Sequence, residues 1–296
     1  MPFIYLSLAP IAKLMRILTV SDLHVDYAEN LAWVLQLGNA HEEDYSADVL
    51  IVAGDVCDDM TLLEQVLSFL LNTFGEVCFV PGNHELWVGQ GNQVQESPDT
   101  DIECSLQKFQ AVKNLCARIG IHTEPLHLEG LSIVPLYSWY DFSFGEPDNY
   151  LRRAWRDFRA CRWPAHLQNA ELISDYFLEL NEPRLELTND IVISFSHFLP
   201  SLDVMPDTIP EKRRKVYPVL GSNRLGKQVA RLRPDIHIYG HSHVNQNKTI
   251  AGINYVNNAF AYPSEGRIAR KALHCVHDSE GDFHSSGLGN RMAENN

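Results

Sequence analysis

The stretch Asp48-Val49-Leu50-Ile51-Val52-Ala53-Gly54-Asp55-Val56-Cys57-Asp58 decides the fold. Val49 to Val52 is an uninterrupted apolar run with three β-branched residues, the pattern of a short strand buried on both faces. Gly54 ends the run, and two carboxylates, Asp55 and Asp58, follow at once. Open α/β sheets bind their ligands just beyond the carboxyl ends of such strands. The pattern repeats on either side. Arg16-Ile17-Leu18-Thr19-Val20 runs into Ser21-Asp22-Leu23-His24, and Val77-Cys78-Phe79-Val80 runs into Pro81-Gly82-Asn83-His84-Glu85. Three successive strands each deliver Asp, His or Asn at the same end.

Working outward, the first third has a βαβαβ rhythm. Helices are predicted over Ala28 to Leu37 and Thr61 to Asn72, with Gly75 closing the second. Residues 89–101 read as a polar loop. Leu106 to Ile119 carries apolar residues at helical spacing, and Leu126 to Tyr137 reads as a hairpin around Glu129-Gly130. Residues 138–189 interrupt the rhythm with an aromatic run and a predicted helix from Leu151 to Trp163, followed by another over Gln168 to Leu180. They form a cap-like insertion beside the site, since no Pro/Gly/Ser linker isolates them. Strand character returns at Ile191 to Phe195, ending in Ser196-His197, and at Ile236 to Tyr239, ending in Gly240-His241-Ser242-His243. Thr249 to Val256 and Ala272 to Val276 read as closing strands.

Residues 15–277 are thus expected to form a single domain. Residues 1–14 are an N-terminal extension ahead of a natural start at Met15, without the basic flank of a signal peptide. Residues 278–296 are polar and Gly/Ser-rich and are expected to form a mobile C-terminal tail.

At 296 residues the chain is long enough to bury a large core, and 45% apolar with 21% charged residues is ordinary for a globular protein. A net charge of −14 leaves no broad nucleic-acid or anionic-membrane footprint. No run reaches transmembrane length. The six cysteines, Cys57, Cys78, Cys104, Cys116, Cys161 and Cys275, are scattered without close pairing, and two lie in or beside predicted strands. They read as reduced thiols, which points to the cytoplasm. The oligomeric state leaves no mark on the sequence.

Seven donors gather just past predicted strands: Asp22, His24, Asp55, Asn83, His197, His241 and His243. None is a cysteine. One divalent ion takes four to six donors, so seven suit two ions sharing a carboxylate. Two metals roughly 3.5–4 Å apart clamp the attacking and leaving oxygens in phosphoryl transfer. A His-x-His pair at a strand end sends both rings the same way, one for each ion.

At these residues the sequence resembles the calcineurin-like metallophosphoesterase superfamily. The blocks Asp22-x-His24, Gly54-Asp55-x-x-Asp58, Gly82-Asn83-His84-Glu85, Ser196-His197 and Gly240-His241-x-His243 occur in the family's order over residues 22 to 243. The resemblance implies a two-layer αββα sandwich of two mixed β-sheets flanked by helices, with a dinuclear metal site at the strand carboxyl ends. It implies that Asp55 bridges the metals, that Asp22, His24 and His243 complete one, and that Asn83, His197 and His241 complete the other. It implies further that His84 is no ligand but faces substrate. There it acts as general acid toward the leaving oxygen, oriented by Asp58, while a metal-bridging hydroxide attacks. The ions implied are two divalent metals, Mn, Fe, Zn or Ni.

One departure matters. Phosphoprotein phosphatases of the superfamily carry Arg after the second Asp of the second block, and Asp59 stands there instead. A small-molecule phosphate mono- or diester is therefore favoured over a phosphoprotein. The alternatives are a non-catalytic metal-binding scaffold of the same fold and a phosphoprotein phosphatase.

Each block alone has an ordinary explanation: Asp58 as a loop carboxylate, Asn83 as filler of a left-handed turn. Arg152, Arg156 and Arg159 recur at helical spacing and are either a solvated face or a substrate-facing cap. Glu211-Lys212-Arg213-Arg214-Lys215 reads as an exposed loop.

Overall fold

A computed structural model describes residues 15–39, 43–89, 102–186 and 191–279. The first sheet has the order β10-β1-β2-β3, from β1 (Arg16–Val20), β2 (Val49–Val52), β3 (Glu76–Phe79) and β10 (His274–Asp278). The second has the order β4-β5-β6-β7-β9-β8, from β4 (Leu126–Leu128), β5 (Leu131–Pro135), β6 (Ile191–Phe195), β7 (Ile236–Tyr239), β8 (Gln246–Ile250) and β9 (Ile253–Asn257). Strands β1, β2 and β3 are parallel, as are β5, β6, β7 and β9; β10, β4 and β8 add antiparallel edges. Both sheets are mixed, as expected.

Period-2 alternation explains why the sheets face each other. Ile17, Val49 and Ile51 point into one core with Ile133, Ile193, Phe195, Ile236 and Ile238 of the second sheet. Their neighbours Leu18, Leu50 and Val52 point the other way, into a core with Leu63, Leu67 and Leu70 of α2 (Met60–Thr73) and Val112 and Leu115 of α3 (Ser105–Ile119). On the far side Val134, Val192 and Tyr239 pack with Leu225 and Val229 of α7 (Asn223–Leu232). Each fully buried aliphatic contributes about 1.5–3 kcal/mol of transfer free energy, which is why continuous apolar strands settle in the middle layers.

Local sequence sets the element ends. The Asp59 carboxylate accepts the Leu62 N–H at 2.7 Å and caps α2. Asp59, the departure from the phosphoprotein-phosphatase pattern, therefore has a helix-starting role. Gly120 ends α3 at φ 92°, a left-handed stop.

Several expectations need correction. Phe74, not Gly75, caps α2, and it is extended; the Gly75 N–H donates instead to Asp48 O at 2.9 Å. The closing segment Thr249 to Val256 is the β8–β9 hairpin, turning through Ala251 (φ 50°) and Gly252 (φ 86°). An alanine in a left-handed turn position hides that turn from a sequence reading. The last strand is His274–Asp278, two residues beyond the expected span. Leu151 to Trp163 is not one helix. The chain forms α4 (Asn149–Ala154), goes extended at Trp155 (φ −72°, ψ 124°), then forms the four-residue α5 (Asp157–Ala160). The expected helix over Gln168 to Leu180 is α6 (Ala170–Asn181), and α1 is Ala28–Gln36. Residues 1–14 and 280–296, and most of the 89–101 loop, lie outside the described residues.

A candidate dinuclear metal centre

The carboxyl ends of β1, β2, β3, β6 and β7 meet along one crest, and the seven candidate ligands lie there. All but His243 are buried, and the His243 side chain is 12% exposed. Asp22, His24, Asp55, His241 and His243 all have left-handed φ, between 42° and 65°. Non-glycine residues adopt that region at a cost of roughly 1–3 kcal/mol each, and such strain collects at functional sites. Asn83, by contrast, is right-handed (φ −73°), so it fills no left-handed turn. Close approach dictates the glycines: a Cβ on Gly82 would collide with Asp55 Oδ1, and one on Gly54 would meet the His197 ring.

The donors fall into three overlapping sets: Asp22, His24 and His243; Asp55, His197 and His241; and His24, Asp55 and His84. Within the first, His24 Nε2 lies 3.1 Å from His243 Nε2, which is 3.3 Å from Asp22 Oδ1. Within the second, His197 Nε2 lies 3.0 Å from His241 Nδ1, 3.1 Å from Asn83 Oδ1 and 3.4 Å from Asp55 Oδ2. Asp55 Oδ2 is also 4.0 Å from His24 Nε2, so it stands between the sets. The two rings of His241-x-His243 go to different sets.

The outward-facing atoms show what the inward-facing atoms can do. His197 Nδ1 is 2.9 Å from Ala53 O, His241 Nε2 is 3.1 Å from Val219 O, and His243 Nδ1 is 2.7 Å from Glu265 Oε2. These partners only accept, so the rings donate outward and aim lone pairs inward. The Asn83 amide donates to Asp157 Oδ1 at 2.9 Å, which turns its own oxygen inward too. With the rings neutral, lone pairs of His197, His241, Asn83 and Asp55 therefore converge. Such a cluster repels itself unless a cation sits within it. His24 Nδ1 is buried without a hydrogen-bond partner, a further sign that its ring is positioned by its Nε2 side. The donor set, nitrogen and oxygen without thiolate, fits borderline divalent ions.

Where no metal ion sits, protons on His197 and His243 answer the same demand for positive charge. Burial works to raise the Asp55 carboxyl, but the rings of His197 and His84 outweigh it and hold Asp55 well below the usual carboxylate range. Asp22 is likewise lowered to about 2, against burial, by His243. In return Asp55 raises His197 to about 9 and Asp22 raises His243 to about 10, although burial opposes both. Burial keeps His241 neutral, at about 3, and lowers His24 well below the ordinary value. Two buried anions thus create a strong local demand for positive charge in a chain of net −14.

His84 occupies the short turn His84–Leu86, its N–H donating to Asp55 Oδ1 at 3.0 Å. Its Nε2 lies 3.8 Å from Asp55 Oδ2, and its ring packs between His24 (4.5 Å) and Trp87 (3.6 Å). Asp58, expected to orient this ring, instead points its carboxylate at Arg156 Nη2, 3.5 Å away, and is 39% exposed. The helix break at Trp155 turns the charged Arg156 toward it.

Some residues of the site went unseen in the sequence. Glu85 is fully buried, and its carboxylate accepts the N–H groups of Asp55, Val56, Cys57 and Gly82 at 2.6–3.1 Å, tying two ligand loops together. Burial and the neighbouring Asp55 push it up to about 7. Asp157, from the insertion, accepts from Asn83, from Trp87 Nε1 (2.7 Å) and from Trp155 Nε1 (2.8 Å). Tyr262 covers His24 and His243 with ring centroids 4.4 and 4.8 Å away. Glu85 could have been suspected from its block; Asp157 lay hidden among arginines.

Comparison with known proteins agrees with this geometry. A family model described as calcineurin-like phosphoesterase matches residues 15–245. The acyl-carrier-protein phosphodiesterase PptH of Mycobacterium tuberculosis (strain ATCC 25618 / H37Rv) is 26% identical over 272 residues, covering 84% of this chain and 78% of that protein. The crystal structure of phosphopantetheinyl hydrolase (PptH) from Mycobacterium tuberculosis superposes with a TM-score of 0.69 at 22% identity, over 89% of this chain and 96% of that one. That likeness is one of fold.

Proposed function

The chain belongs to the calcineurin-like phosphoesterase family and is a metal-dependent phosphohydrolase; from that premise we propose that it cleaves a phosphodiester at a dinuclear centre. In this reading Asp55 would serve both ions, with Asp22, His24 and His243 holding one and Asn83, His197 and His241 holding the other. The observation that carries it is the convergence of inward lone pairs on both sides of Asp55 Oδ2. When bound, two ions would supply Lewis-acid charge to the phosphoryl oxygens and an activated water.

The chain's own residues do the rest. Ala53 O, Val219 O and Glu265 fix the ligand rings, and Asp157 fixes the Asn83 amide. His84 stands outside these anchored rings and is assigned the proton of the leaving oxygen. Ring contacts with His24 and Trp87 hold it beside Asp55. Asp58 is assigned to the site's outer ring of contacts through Arg156.

Residues 15–277 are read as one unit. Trp139, Tyr140, Leu151 and Phe177 of the 138–189 segment share the core between the sheets, and Asp157 joins that segment to the site. All six cysteines are unpaired and no helix among the described residues is long and apolar enough to cross a membrane, which supports a reducing, cytoplasmic setting.

For the substrate, the relative's name favours a phosphopantetheinyl diester borne on an acyl carrier protein over a free small phosphoester. The test is turnover of bis(p-nitrophenyl) phosphate, p-nitrophenyl phosphate and phosphopantetheinyl carrier protein, the last followed as loss of mass from the carrier. Diester hydrolysis should vanish on chelation and return with Mn²⁺ better than with Ca²⁺. Protein loaded with two metals that turns over none of the three would refute the reading and leave a binding scaffold.

A further inference from the structure

Trp155, Arg156 and Asp157 are consecutive, and each reaches a different part of the site. The Trp155 ring meets the His241 ring at 5.7 Å, Arg156 lies on Trp87, and Asp157 holds Asn83. No helix could send three successive side chains there, and the backbone leaves the helical region at Trp155 to do so.

Asp157 and Trp155 are accounted for by the hydrogen bonds of the insertion, but Arg156 is not. Its guanidinium carbon sits 4.2 Å from the Trp87 ring centroid, and Nη2 is 3.5 Å from Asp58 Oδ2. Trp87 is itself immobilised, its Nε1–H on Asp157 and its ring 3.6 Å from His84. The guanidinium thus has one face on an indole and one edge near a carboxylate, while its side chain remains 63% exposed. An ion pair this exposed adds little to stability, so stability explains the break through Asp157 but not the placement of the Arg156 guanidinium. A planar cation held in place, with most of its five N–H donors open to solvent beside His84, is suited to an anion with paired oxygens.

We propose that Arg156 binds a non-bridging oxygen of the phosphoester on the His84 side of the centre. The proposal rests on the phosphoesterase reading, and two kinds of measurement keep the two separate. In the full-length, metal-loaded enzyme, Arg156→Ala should lower kcat/KM for bis(p-nitrophenyl) phosphate by on the order of 10–100-fold, the worth of a hydrogen bond to a charged group. Inorganic phosphate should stabilise wild type against heat and protect Arg156→Ala only at concentrations higher by a similar factor, a readout that needs no turnover. Metal content should be unchanged. Arg156→Lys should fall between the two, since it keeps the charge but not the fork, and millimolar guanidinium should restore part of the lost rate to Arg156→Ala.

Arg156→Ala with wild-type kcat/KM and wild-type phosphate protection would overturn the proposal and leave Arg156 a clamp on Trp87. A loss of bound metal in Arg156→Ala, or equal impairment in Arg156→Lys and Arg156→Ala without guanidinium rescue, would overturn it as well. Phosphate protection that is weakened in Arg156→Ala, in a protein that turns over no ester, would sink the phosphoesterase reading while supporting the Arg156 contact.

Discussion

Replacing Asp157 tests how far the insertion controls the centre. Its carboxylate is 2% exposed and accepts three N–H bonds: Oδ1 takes Asn83 and Trp87, and Oδ2 takes Trp155. Asp157→Ala strands all three donors, at about 1–3 kcal/mol each, less whatever is regained by removing a buried carboxyl that burial has pushed up in pKa. A net loss of about 3–5 kcal/mol corresponds to a fall in Tm on the order of 10 °C for a chain of this size. The freed Asn83 amide can then turn its NH2 inward, and loss of such a supporting hydrogen bond costs about 10–100-fold in metal affinity. Asp157→Asn behaves differently. Its single oxygen satisfies more donors at the Oδ1 position, so it keeps Asn83 and Trp87 and strands only Trp155. It should cost about 1–3 kcal/mol and leave the metals bound nearly as in wild type. Competition against a chelating dye, with calorimetric unfolding on the same samples, gives both quantities. Equal weakening of metal by Asn and Ala would show that charge, not the direction of the Asn83 amide, matters, and the reasoning would fail. So would unchanged affinity in Asp157→Ala.

His84→Ala should retain both metals while kcat falls about 10²–10⁴-fold for alkyl leaving groups and far less for nitrophenolate; elemental analysis showing a lost ion would make His84 a ligand instead. His237 offers a pH prediction away from the centre. It is fully buried between Ser194 and Ser196, and burial lowers it to about 3. The unfolded chain takes up its proton below about pH 6.5 while the folded chain does not. Stability is therefore fullest above pH 6.5 and drains away down to about pH 3, by up to about 1.4 kcal/mol per pH unit. In chelated protein, His237→Gln should flatten urea-derived stability against pH over that window. Parallel curves for wild type and variant would show that the folded state protonates His237.

The residues that were legible in the sequence and those that were not differ in a physical way. Val49 to Val52, Val77 to Phe79 and Ile236 to Tyr239 could be read because two-sided burial admits only continuous apolar residues, and a strand's carboxyl end is a known address. The ligands at those ends were readable for the same reason. What turns a ligand into a metal donor is the partner on its other atom, and half of those partners are backbone. Ala53 O and Val219 O hold His197 and His241, and any residue could supply a carbonyl. The side-chain partners, Glu265 for His243 and Asp157 for Asn83, lie 22 and 74 residues away in segments with no motif. The helix break at Trp155 was hidden because the local pattern favours a continuous amphipathic helix. What outweighs that preference is a set of buried hydrogen bonds to Asp157 that exist only once the sheets are assembled. Local preference and tertiary demand therefore conflict at Trp155-Arg156-Asp157. Asp157 holds the break, and what its hydrogen bonds do not account for is the exposed guanidinium of Arg156 over Trp87, which is where a residue placed for substrate would stand.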